Sequence, residues 1–154
     1  MKKQRIYFDT SVFGGYFDEE FQEFTRPLFD RIKKGEITII FSTILESELE
    51  LAPEKVRNLV RKIKKDDAEF VEESNDAIEL ASEYLSEKVV GQTSYSDCLH
   101  IALATIIQAD LLVSWNFKHI VNIQRIRGYN SINIKNGYKS LEIRSPRDIM
   151  DYEN

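Results

Sequence analysis

A single cysteine, Cys98, stands in the chain, so no disulfide can form within it. That excludes a disulfide-stapled fold and suits a reducing cytoplasm. Cysteine and histidine clusters with zinc-ligand spacing are missing as well. Prolines number 3 and glycines 6, with no Pro/Gly-rich stretch, no repeat and no low-complexity tract, so no linker divides the chain. Residues 1–154 therefore read as one domain. No apolar run approaches the roughly 20 residues of a membrane span. The basic start "MKKQRIYFD" meets an acid too early to act as a secretory signal. A cytoplasmic protein with no membrane partner is the expectation.

Hydrophobic residues make up 42% of the chain and charged ones 31%, enough apolar material for a buried core. The formal net charge of −5 argues against nucleic-acid binding by bulk charge alone, yet the charge is unevenly spread. Nine acids and no Lys or Arg lie between Asp66 and Glu87. Seven basic residues lie between Asn116 and Arg147 against Glu142 alone, and "KVRNLVRKIKK" from Lys55 to Lys65 forms a second basic cluster. These segments can line a local positive surface, or they are simply solvated helix faces.

The apolar pattern switches repeatedly between strand and helix. Ile6 to Asp9 reads as a first strand, "EITIIFS" as a second, "AEFV" as a third, "DLLVSW" as a fourth and "LEIRSP" as a last. Between them, Phe21, Phe24, Leu28, Phe29 and Ile32 recur at helical spacing, with Thr25 as the expected cap, Pro27 in the first turn and Gly35 as the stop. "TILESELELA" forms a helix after Ser42, Pro53 opens the basic helix, and Ser74 caps one carrying Ile78, Ala81, Tyr84 and Leu85. "SYSDCLHIALATIIQA" is apolar nearly all round, the mark of a central helix. The stretch from Asn116 to Gly137 reads as helical, and Pro146 opens a terminal turn. Alternating strands and helices predict an α/β fold with a mainly parallel sheet covered on both faces.

Functional side chains of such sheets gather at the carboxyl ends of the strands. Asp9 ends the first strand, Glu48 lies in the helix after the second, Asp97 begins the apolar helix, and Asn116 follows the fourth strand. Three carboxylates meeting there must hold raised pKa values or a neutralising cation. With hard oxygen ligands only, that cation is Mg²⁺ or Mn²⁺. Each residue also has a plainer explanation. Asp9 can make a strand-end Asx turn, Glu48 can be a surface acid like Glu46 and Glu50, Asp97 can cap its helix, and Asn116 can be a loop residue. His100 and His119, each three residues beyond Asp97 and Asn116, can orient a carboxylate, contact a phosphate or pack in the core.

In the order Asp9, Glu48, Asp97, Asn116, carried by "YFDTSVF", "FSTILESELELAP", "YSDCLHIALA" and "ADLLVSWNFKHI", the chain resembles the PIN-domain family, and within it the VapC-type toxins of prokaryotic toxin–antitoxin systems. No one stretch is specific, but their order and spacing span nearly the whole chain. The resemblance implies a three-layer α/β/α sandwich and a metal-dependent ribonuclease centre. Asp9, Glu48 and Asp97 match its three acids, which would be both catalytic and metal-binding. Asn116 takes the fourth position, usually an acid, and so reduces the charge available for a second metal. The resemblance further implies a small antitoxin partner and a homodimer.

Two function classes follow. The first is an Mg²⁺- or Mn²⁺-dependent endoribonuclease acting on RNA, with Asp9, Glu48, Asp97 and Asn116 as its catalytic set. The second is a PIN-like module that binds RNA or protein without cutting. A phosphotransfer domain of the haloacid-dehalogenase kind would want a second Asp where Ser11 stands.

Overall fold

The computed structural model describes residues 3–87 and 93–153, the last four of these as backbone only. Five strands form one sheet: β1 (Gln4–Phe8), β2 (Ile37–Ser42), β3 (Ala68–Val71), β4 (Leu111–Val113) and β5 (Ile143–Arg144). All four pairings are parallel, in the order β3-β2-β1-β4-β5. The helices between them are α1 (Thr10–Gly15), α2 (Gln22–Lys33), α3 (Thr43–Glu50), α4 (Glu54–Arg61), α5 (Asn75–Ser86), α6 (Tyr95–Ile106), α7 (Ile123–Lys135) and α8 (Pro146–Glu153).

Strand alternation divides the apolar residues between two cores. Ile6 and Phe8 of β1, with Ile37, Ile39 and Phe41 of β2, pack under α1, α2 and α4. Tyr7, Ile40 and Leu112 point the other way, onto α5, α6 and α7. The result is the expected α/β/α sandwich. In β1, residues 6 to 8 are wholly buried, which is why that run reads as continuously apolar rather than alternating. The buried stretch of α6 from Cys98 to Thr105 confirms its central place.

Four local expectations change. Residues 10–15, unassigned from sequence, form α1, and Asp9 is its N-cap, accepting from Ser11 N. The helix carrying Phe24 begins at Gln22, so Thr25 lies inside it, its hydroxyl donating to Phe21 O at 2.7 Å. Pro27 accordingly sits in the sixth position of α2, and without an N–H it leaves the Glu23 carbonyl short of one helical bond. Finally, Asn116–Val121 turns rather than coils, and α7 begins at Ile123 under an Asn122 cap. Gly35 does end α2, with a φ of +78° that a side chain would resist. Among the described residues no helix is long and apolar enough to cross a membrane.

The chain steps outward from β1 to β2 to β3, then returns to the opposite side of β1 as β4. The point where the order reverses, at the carboxyl ends of β1 and β4, is where open parallel sheets place their sites.

Candidate active site

Asp9 occupies that reversal point. It is 5% exposed, and its backbone N–H donates to Val113 O at 3.1 Å, stitching the end of β1 to β4. Ser11 Oγ donates to its Oδ1, and Ser114 Oγ donates to its Oδ2 at 2.8 Å. Each serine in turn accepts a backbone N–H, from Trp115 at 2.9 Å and from Asn116 at 2.9 Å respectively. With a backbone donor on each oxygen, both hydroxyl protons are free to serve the carboxylate. Burial nevertheless pushes the Asp9 pKa up; the two serines and His100 oppose that rise, and the charge of Asp97 adds to it.

Glu48 is reached from another direction. Of the three acids on α3 that compete for the role, Glu46 and Glu50 are exposed and Glu48 is half-buried. Its Oε1 takes hydrogen bonds from His100 Nε2 and from Thr10 Oγ1, the latter at 3.0 Å. Burial would raise its pKa, but the bond and charge of His100 and the Thr10 hydroxyl outweigh it, so Glu48 stays below the usual carboxylate range.

Asp97 lies in the first turn of α6, where Ser94, not Asp97, is the cap. Ser94 Oγ accepts Asp97 N at 3.1 Å, and the Asp97 carboxylate itself has no hydrogen-bond partner among the described residues. The plain capping explanation therefore does not use it. Asn116 does hold its own loop together, since its Oδ1 accepts His119 N at 2.9 Å and shapes the turn after β4. His119 Nδ1 is buried without a partner among the described residues, and Tyr129 donates to the His119 carbonyl. Cys98, beside Asp97, is held by burial at a pKa of about 12, which keeps it a neutral thiol.

Among the described residues no three His, Cys, Asp or Glu side chains are grouped to hold a metal ion. Glu48 gives one oxygen, Oε1, to His100 and Thr10. What remains is the pair Asp9 and Asp97, close enough for one charge to raise the other's pKa, with no Lys or Arg ion-paired to either among the described residues. The donor set fits Mg²⁺ or Mn²⁺, since such ions take one or two carboxylates and keep several waters.

The sequence reading missed the residues that support these acids, chiefly Tyr7, Thr10, Ser11 and Ser114. One signal was there: a hydroxyl in the middle of "IYF", a strand buried on both faces, must find a polar partner.

A parallel sheet with a buried acid at its point of reversal places the chain among the open α/β domains. The family model of the PIN domain matches residues 6–118, and the chain belongs to that family. Among solved structures, VapBC2 from Rickettsia felis, bound to a DNA fragment from its promoter, shares the fold at a TM-score of 0.57 and 16% identity, covering 92% of this chain and 98% of that one. FitAcB from Neisseria gonorrhoeae does so at 0.59 and 11%, with 92% and 98% covered. VapC20 from Mycobacterium tuberculosis, a Sarcin-Ricin loop cleaving toxin, matches at 0.52 and 14%, with 70% and 86% covered. Curated proteins offer no sequence match.

Proposed function

We propose that this protein is an Mg²⁺- or Mn²⁺-dependent endoribonuclease, the toxin of a type II toxin–antitoxin pair working in the cytoplasm. The observation that carries this reading is Asp9, buried at the sheet's reversal point, with the Asp97 carboxylate near it and no cationic side chain ion-paired to either among the described residues. Folding like-charged groups together without a counterion costs free energy, which a bound cation would recover.

Asp9 and Asp97 would hold the cation, and Glu48 would reach it through water. When bound, the cation would supply Lewis acidity toward the scissile phosphate and make water a stronger nucleophile. Glu48 is ionised at neutral pH and offers Oε2 as an acceptor that orients the attacking water. Ser11 and Ser114 keep Asp9 in one orientation throughout. Asn116 positions the turn after β4 beside them, and its amide adds no charge. Lys55, Arg57, Arg61 and Lys62 on and just after α4, with Arg125 on α7, would bind flanking phosphates, so RNA affinity should fall steeply with salt.

Two of the three similar structures are named as VapBC or VapC proteins, and one of those as a Sarcin-Ricin loop cleaving toxin, which supports a toxin reading and an antitoxin partner. A homodimer is part of the same proposal. The second reading, a PIN-like module that binds RNA or protein without cutting, is favoured by Asn116 at the fourth position and by the open arrangement of the acids.

Incubation of purified protein with RNA and Mn²⁺, with and without EDTA, separates the two. Metal-dependent cleavage that Asp97→Asn abolishes is the expected result. Equal cleavage by both proteins would assign the activity to a contaminant. RNA binding without cleavage in any divalent metal would establish the binding module.

A further inference from the structure

His100 is 2% exposed, yet both ring nitrogens are engaged. Nδ1 lies 2.6 Å from the hydroxyl of Tyr7, itself wholly buried, and that hydroxyl lies 2.6 Å from Ser42 Oγ. Ser42 Oγ accepts Leu45 N at 3.2 Å and caps α3, the helix that carries Glu48. Nε2 closes the circuit on Glu48 Oε1. An ionised carboxylate only accepts, so Nε2 is the donor there. The loop of bonds runs from α6 through β1 and β2 to α3 and back to α6.

Its consequence lies in which oxygen is used. Both donors, His100 and Thr10, fall on Oε1, and Oε2 has no partner among the described residues. A glutamate free to turn would exchange its oxygens and lose rotamer entropy only on binding. We propose that His100 is a positioning residue for RNA cleavage, fixing Glu48 so that Oε2 alone faces the reaction. The proposal rests on the ribonuclease reading of the site. A histidine that merely filled the core would need neither bond to Glu48 nor a particular nitrogen toward it.

The two amide replacements separate these roles. In His100→Gln the amide nitrogen stands near the place of Nε2, and in His100→Asn near that of Nδ1. His100→Asn should lower kcat about 10- to 100-fold with KM little changed, the usual effect of removing a supporting hydrogen bond. His100→Gln should recover most of the loss. If His100→Asn does not fold, Tyr7→Phe keeps the ring but frees Nδ1, and kcat should again fall at constant KM.

Equal kcat for the Asn and Gln variants would overturn the proposal, as would an unchanged kcat in Tyr7→Phe. An independent readout is the imidazole Nε2–H proton by NMR in metal-free protein, protected in the wild type and lost to exchange in Glu48→Ala. A signal indifferent to Glu48 also overturns it. No RNA cleavage by wild type, with the Glu48-dependent signal intact, would instead sink the ribonuclease reading and leave the His100–Glu48 link standing.

Discussion

Ser114 reaches across from the end of β4 to donate its hydroxyl to Asp9 at the end of β1, 2.8 Å away and 105 residues distant in sequence. With Ser11 on the other oxygen, it gives Asp9 two fixed donors and one orientation. The carboxylate is thus both a helix cap and the most buried acid of the site, two roles that a single sequence position does not distinguish.

The raised pKa of Asp9 has a sign that can be tested. A carboxyl whose folded pKa lies above its unfolded value, about 4, favours the fold while protonated. That contribution is lost as pH rises through the folded pKa. In EDTA, wild-type stability should therefore decline against Asp9→Asn as pH rises above the unfolded value of about 4. The substitution also leaves one serine hydroxyl without its acceptor, a pH-independent cost of about 1 kcal/mol. Urea titrations at several pH values separate the slope from the offset, and parallel pH profiles for the two proteins would contradict the assignment. Cleavage should vanish in Asp9→Asn at every pH.

Glu48 has the opposite sign. Its folded pKa is depressed, so its contribution is present above the unfolded value, about 4.3, and is lost as pH falls through the folded one. Glu48→Gln should remove that acid sensitivity and abolish cleavage. Glu46→Gln and Glu50→Gln, on the exposed side of the same helix, should leave both unchanged. Comparable loss of cleavage in all three would show that general acidity, not this carboxylate, matters.

Gly15 closes α1 directly beneath Trp115. A Cβ there would come within 2.6 Å of the indole Nε1, which donates to Thr25 Oγ1 at 2.9 Å, while the ring stacks on Phe21. Gly15→Ala should cost about 1–3 kcal/mol through this overpacking. Trp115, the only tryptophan, reports it by fluorescence. Because Trp115 N also bonds Ser11 Oγ, cleavage should fall together with stability.

Asn116→Asp keeps an acceptor for His119 N and adds a negative charge at the fourth position. Calorimetric titration should show tighter Mn²⁺ binding than wild type. Asn116→Ala, losing the acceptor, should cost about 1 kcal/mol of stability with little change in Mn²⁺ affinity. Identical Mn²⁺ isotherms for wild type and Asn116→Asp would remove this position from the site.

The order of strands and helices was legible because each signal is local. β-branched runs such as "ITIIF" and the apolar wheel of α6 need only neighbouring residues to be recognised. The same locality marks Asp9 at a strand end, Asp97 in a first helical turn, Asn116 after β4 and Glu48 within the helix that follows β2. Where it failed, a partner was distant: Thr25 looks like a cap until the indole of Trp115, 90 residues on, is seen to occupy its hydroxyl.

Sequence alone determined the α/β sandwich and the family, since hydrophobic period and motif spacing are properties of short segments. Tertiary structure decided what the acids of the site do. It buried Asp9 between two serines, gave one oxygen of Glu48 to His100 and left the carboxylate of Asp97 without a partner among the described residues. The His100–Glu48 and Ser114–Asp9 bonds join residues 52 and 105 positions apart, and only the packed crossovers bring such groups within 3 Å of each other.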